Sequence, residues 1–148
     1  MKIAVSACLL GSSCRFDGAS RPCRAVIALH DAHEIVPVCP ETAAKLPVPR
    51  PPNEIVRTGD AMRVVDSEGA DNTEAFLAGA RRELVRAQEA GCELAVLKSK
   101  SPSCGSGRIY DGTFSGTLTE GWGVAAALFR DAGIPVIDET RAGEIACA

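Results

Sequence analysis

The sequence predicts an α/β fold: one layered domain with a mainly parallel sheet flanked by helices, Rossmann-like in plan. Three observations predict it. Four short runs, KIAVSA (2–7), EIVPV (34–38), LAVLK (94–98) and IPVID (134–138), are nearly all apolar, as strands covered on both faces are. Helix-like segments separate them, so strand and helix alternate in the manner of right-handed crossovers onto one sheet. The length of 148 residues suits one domain that buries roughly two-thirds of the surface its unfolded chain exposes.

After the first run, PCRAVIALHD (22–31) reads as a helix with Pro22 at its start, where a missing N–H costs little. KLPVPRPPNEI (45–55) is too rich in proline to be regular, and AMRVVD (61–66) reads as an extra strand. NTEAFLAGARRELVRAQEAG (72–91) is the clearest helix, with Asn72 or Thr73 as cap and Gly91 as stop. Its apolar side is expected to be Ala75, Leu77, Ala78, Leu84, Val85 and Ala87. DGTFSGTLTEGWG (111–123) is glycine-rich ahead of a helix, so it is either a hairpin with a cap or a set of backbone N–H groups open to an anion. GWGVAAALFRDAG (121–133) then forms a helix closed by glycine. No repeat, low-complexity tract or linker interrupts the chain. One domain over 1–148 is expected, with a loose tail from about 140 that includes Cys147.

An apolar content of 46%, a charged content of 24% and a net charge of −3 are ordinary for a soluble protein and argue against non-specific binding of polyanions. No apolar run approaches the ~20 residues that span a bilayer. The start MKIAVSACLLGSSCR resembles a short signal peptide but reads better as a buried first strand. A cytoplasmic protein with no membrane partner is expected. The seven cysteines, at 8, 14, 23, 39, 92, 104 and 147, then point to metal ligands or catalytic thiols before disulfides, and an odd number cannot pair completely.

Cys8, Cys39 and Cys104 each lie just past an apolar run. Ligands of open parallel sheets bind beyond the carboxyl ends of the strands, so neighbouring strands would bring the three thiols to one edge. Three thiolates can hold zinc with an open position, or a [4Fe–4S] cluster with one iron lacking a protein ligand. The alternative is three small buried residues, although a core cysteine belongs within a strand and not beyond its end. Glu41, in CPE, is a candidate general acid or base, or else a carboxylate favoured at a helix start. Lys100, Ser101 and Ser103 cluster with Cys104 in LKSKSPSCGSG, as donors to a ligand or as a plain polar turn. Cys14, Arg15 and Asp17 follow on a loop; Arg15 and Asp17 can simply pair, and Cys14 is a spare ligand, a site-lining thiol, or neither. His30 and His33 are expected to be solvated, and Cys92 to be core.

Other motifs fail. No arginine stands six residues after Cys8, Cys14 or Cys104, as a cysteine phosphatase requires, and no C-x-x-C occurs. GSG at 105–107 carries no P-loop lysine.

Taken together, VSACLLG…CRFDG, VPVCPE, PRPP.EI, LKSKSPSCGSG.IYDGTFSG and GVAAALFRDAGI resemble the family catalogued as DUF523, whose characterised members include thiouracil desulfidases. The resemblance runs from residue 2 to about 138. It implies a [4Fe–4S] cluster held by Cys8, Cys39 and Cys104, with the fourth iron open to the sulfur of a thiolated substrate. It also implies an acid–base glutamate at Glu41 and an active-site serine at Ser101; on chemical grounds, Ser101 or Lys100 then stabilises or protonates the intermediate. The implied activity is a non-redox conversion of C=S to C=O on a thiolated nucleobase such as 2-thiouracil, sulfide leaving on the open iron. A second domain carried by some relatives is not found in this sequence, so their substrates need not apply. The alternatives are a tRNA thiouridine desulfidase, using Arg50, Arg57, Arg63, Lys98 and Arg108 as a basic patch, and a non-catalytic redox or sulfide sensor. The acidic balance favours the free base as partner over a polynucleotide.

Overall fold

Side chains alternate across a strand, so the first apolar run serves two cores at once: Ile3 and Val5 face one way, Ala4 the other, all with 0% exposure. The computed structural model describes residues 1–146; Cys147 lies outside the described residues. Chain order runs β1 (Lys2–Ser6), a 3-10 turn (Ala7–Leu10), α1 (Arg24–Ile27) extended as 3-10 helix, β2 (Glu34–Val38), α2 (Pro40–Ala43), β3 (Asn53–Thr58) and β4 (Ala61–Asp66). It continues with α3 (Thr73–Ala90), β5 (Leu94–Val96), β6 (Arg108–Tyr110), β7 (Leu118–Glu120), α4 (Val124–Asp131), β8 (Val136–Ile137) and α5 (Ala142–Ala146).

The sheet has the order β2-β1-β5-β8, with every pair parallel. The winding goes from β1 outward to β2, then back across to β5 and on to β8. Its direction therefore reverses between β1 and β5, the place where α/β sheets open a crevice at their carboxyl edge. One face is closed by α3 and α4, through Ala87, Ala126 and Phe129 against Ala4, Ala95 and Leu97. The other is closed by α1 and α5, through Val26, Leu29, Ala142 and Ile145 against Ile3, Val5 and Val96. Two antiparallel hairpins, β3-β4 and β6-β7, lie beside the helices around Ile55, Val64, Phe76 and Ile109. The α/β architecture with a parallel sheet is the one expected.

Several details differ. The first helix starts at Arg24, because the Cys23 N–H bonds to Leu9 O and holds Cys23 extended; Pro22 stays outside. The proline-rich loop ends sooner than expected, since Asn53–Thr58 pairs with Ala61–Asp66 across a Gly59–Asp60 turn. The tail expected to be loose from about 140 instead forms α5, held by the burial of Ala142 and Ile145. On α3 the buried face is Phe76, Gly79, Ala80, Glu83 and Ala87, and Val85 is exposed. A glycine and a glutamate on the inward face hid it from hydropathy. Gly91 stops this helix as expected, in the left-handed region at φ 81°.

β2 is an edge strand, and it contains Pro37, which only an edge tolerates. The Arg86 guanidinium of α3 donates to Pro37 O at 2.6 Å. No helix is long and apolar enough to cross a membrane among the described residues.

Candidate functional site

Each of three strand ends delivers one thiol. Cys8 sits in the 3-10 turn after β1, Cys39 is the residue between β2 and α2, and Cys104 lies in the loop after β5. All three line one cavity of about 660 Å³ at the carboxyl edge of the sheet, as do Glu41, Lys100 and Ser101. The six residues singled out in the sequence are thus brought together. Cys8 and Cys104 are buried at 7% and 6% exposure.

Close backbone approaches fix these positions. A Cβ on Gly79 would stand 2.0 Å from Pro40 O, so only glycine lets α2, with Cys39 and Glu41, lie directly on α3. The Cys39 N–H donates to Glu83 Oε1 at 3.4 Å, which explains a glutamate on the inward face. A Cβ on Gly123 would meet Ser103 O at 2.6 Å. There the first N–H groups of α4 are consumed by the cysteine loop: Val124 donates to Pro102 O, and Ala125 and Ala126 to Ser103 O, at 2.8–3.0 Å. The anion-binding reading of 111–123 therefore fails at this helix end, and the hairpin reading holds. Farther back in the same stretch, the N–H groups of Gly112 and Phe114 hold an internal carboxylate, donating to Glu54 Oε1 at 2.9 and 3.2 Å.

Glu41 is held on both oxygens. Arg50 Nη2 and Nε donate to Oε1 at 2.8 and 3.2 Å, and the Ser103 hydroxyl donates to Oε2 at 2.9 Å. Arg50 is itself buried and also donates to Pro47 O and Cys14 O. Ser101 Oγ accepts the N–H groups of Ser103 and Cys104, both at 3.1 Å, and lies 3.0 Å from Ser103 Oγ. With its acceptor positions filled by backbone, the Ser101 O–H is a donor, to Ser103 or to a cavity ligand. Lys100 is exposed at the rim, in the left-handed region at φ 68°.

Cys39 and Cys104 resist ionisation. Burial pushes Cys104 up to about 12, against weaker help from Ser6. Contact with Cys14 and burial push Cys39 far above the usual thiol value, although its S–H finds Thr42 Oγ1 at 3.1 Å. The Cys14 thiol is held above its usual value: Cys39 favours its thiolate, but Cys8 and burial outweigh that. Cys14 lines the same cavity, so of the alternatives left by the sequence it is not a residue apart from the site. Such groups lose their protons when they take a metal. Among the described residues no three His, Cys, Asp or Glu side chains close on a single ion. One zinc, at about 2.3 Å from each sulfur, would need them nearly in contact. Thiols spaced around a cavity suit a cluster better, because each binds its own iron.

Sequence reasoning missed Arg50 as the partner of Glu41 and Glu54 as a cavity wall. No pattern announces the first; a hairpin signal at NEIVRTGDAMRVVD, two β-rich runs around Gly-Asp, points toward the second. Arg15 pairs with Asp17 at 3.3 Å and Cys92 is core, both as read. His30 is exposed, whereas His33 is half-buried, with Nδ1 unpartnered among the described residues.

The fold and cavity define an α/β protein with a cavity at the switch point of a parallel sheet, lined by thiols, a carboxylate and serines. The chain belongs to the 2-thiouracil desulfurase family, whose model matches residues 3–141. It is 40% identical over 149 residues to the uncharacterized protein YbbK of Bacillus subtilis (strain 168), covering 97% of this chain and 99% of that protein. Its structure is similar to that of the [4Fe-4S]-dependent thiouracil desulfidase TudS, with a TM-score of 0.88 and 44% identity, over 99% of this chain and 95% of that one.

Proposed function

We propose that the protein removes sulfur from a thiolated pyrimidine base such as 2-thiouracil, replacing C=S by C=O with water and no external reductant, on a [4Fe–4S] cluster held by Cys8, Cys39 and Cys104. The observation that carries this is the meeting of three soft sulfur donors, a doubly held carboxylate and a serine pair on one cavity. When bound, the cluster supplies a soft Lewis acid at an iron without a protein ligand, which draws electron density from a thiocarbonyl sulfur.

The proton work falls to the chain. Arg50 and Ser103 aim Glu41 and leave one acceptor position on Oε2, where a water can lose its proton as it attacks the thiocarbonyl carbon. The Ser103 hydroxyl on the same oxygen can pass a proton back to the intermediate, while the Ser101 O–H donates a hydrogen bond to the charge that develops. Lys100 brings positive charge to the rim, where negative charge develops. Water supplies the oxygen and sulfide leaves, so electrons balance. The free base is favoured over a polynucleotide because three of the five basic residues of the supposed patch are spent: Arg50 on Glu41, Arg63 on Asp71 and Lys98 on Glu139.

Anaerobic reconstitution should give about four irons per chain, and 2-thiouracil should then yield uracil and sulfide in equal amounts over many turnovers. Glu41→Gln should keep its iron and lose turnover by about 10²–10⁴-fold. Full iron loading with no uracil formed would reject the reading.

A further inference from the structure

We propose that Glu54 selects the substrate, its carboxylate accepting a ring N–H next to the thiocarbonyl. This deepens, and rests on, the reading that a thiolated pyrimidine occupies the cavity.

Glu54 is the second residue of β3, is 8% exposed and forms part of the wall of the cavity that Cys39 and Glu41 line. A cradle holds one of its oxygens. The loop after β6 turns left-handed at Gly112 (φ 92°) and Phe114 (φ 56°), which brings both N–H groups onto Oε1 at 2.9 and 3.2 Å. A Cβ on Gly112 would stand 2.8 Å from Ile55 O, so the cradle requires glycine there. Oε2 has no partner among the described residues, yet it is not one of the polar atoms sealed inside the protein. It is open to the cavity.

No cation answers it. Of the basic residues on the cavity, Arg15 pairs with Asp17, Lys98 with Glu139, and Arg21 donates to Ser20 O. Neither these nor Lys100 lies within ion-pair distance of Glu54 among the described residues. A carboxylate this buried, with half of its acceptor capacity unmet, is costly unless a donor arrives with the ligand. 2-Thiouracil carries such a donor on each side of its C=S carbon. A charged acceptor on one of them would be stronger than a neutral contact and would orient the ring so that sulfur points to the thiols. The substrate class is then a cyclic thioamide or thiourea with a free N–H beside C=S.

The test gives cluster-loaded protein 2-thiouracil, its 1-methyl and 3-methyl isomers and the 1,3-dimethyl compound. At least one monomethyl isomer, and the dimethyl compound, should lose kcat/KM by roughly ten- to hundredfold. Glu54→Gln keeps an acceptor for Gly112 and Phe114 but turns an N–H toward the ligand. It should lower 2-thiouracil by a similar factor and abolish discrimination among the four, with melting temperature and iron content near wild type. Equal turnover of all four by the wild type, or one common factor of loss in Glu54→Gln, would overturn the proposal. Should the variant not fold, the methyl series on wild type still decides. Should the loaded wild type not turn over 2-thiouracil, the desulfidase reading is what has failed. Binding of uracil against 1,3-dimethyluracil, followed by ligand-observed NMR, then tests Glu54 alone: tighter binding of uracil supports it and equal binding overturns it.

Discussion

Two regions meet at the cavity, and they are built differently. The carboxyl edge of the sheet places Cys8, Cys39 and Cys104 through strand backbone: the ladders from Lys2–Glu34 to Ser6–Val38 and from Ile3–Leu94 to Val5–Val96 set where each strand ends. The β3-β4 and β6-β7 hairpins contribute through side-chain contacts to loop backbone, as in the cradle of Gly112 and Phe114 around Glu54. The difference separates two tasks. On the proposed function, the thiols that would hold the cluster follow the strands of the sheet, the part of the fold hardest to deform, while the group proposed to choose the substrate is held by a loop that can change without disturbing the sheet.

The largest expected effect breaks the first region alone. Cys39→Ala should abolish iron retention and turnover together, yet leave the fold intact, because Cys39 is only partly buried and follows the strand. Iron content and circular dichroism on the same sample check this; a variant that kept its iron would remove Cys39 from the ligand set. Gly112→Ala breaks the second region. The left-handed backbone and the 2.8 Å approach to Ile55 O should cost about 1–3 kcal/mol, visible as a drop in melting temperature of several degrees. Iron content should stay at wild-type level, and equal loss of iron would show that the two regions are not separable.

The smallest effect sharpens the comparison at the sheet edge. Burial opposes ionisation of Glu139, but the Ser99 N–H and Lys98 outweigh it and hold its carboxyl below the usual glutamate value of 4.5. A depressed value in the folded state means stabilisation that is full above the unfolded value and is lost as pH falls through the folded one. Thermal melts of wild type and Glu139→Gln should therefore differ by a few degrees at pH 7 and converge as pH falls below the usual glutamate value. A constant gap across that range would deny the ion pair any part in stability.

The same division explains what was legible in the sequence. EIVPV forms the strand its apolar run implies, at residues 34–38, and the Cys39–Pro40 pair marks where it stops; Cys104 lies in the loop beyond β5. Sheet and thiols could therefore be read locally. The contacts of the other groups are not local. Arg50 reaches Glu41 across a proline-rich loop, and Glu83 turns inward to meet the Cys39 N–H from α3. A buried charge facing a partner distant in sequence leaves the same mark as an exposed one. β3 was masked by the prolines before it, although its β-branched residues and the Gly59–Asp60 turn were present.

The edge of the sheet at β2 has a consequence of its own. An unpaired outer strand is a template onto which another molecule can zip, beginning the growth of insoluble fibrils. Here residue 37 has no N–H to offer, and its carbonyl is already taken by the Arg86 guanidinium. Position 37 of the exposed strand is therefore blank to an incoming backbone, so the arginine of α3 that takes its carbonyl also withholds one docking point from a second copy.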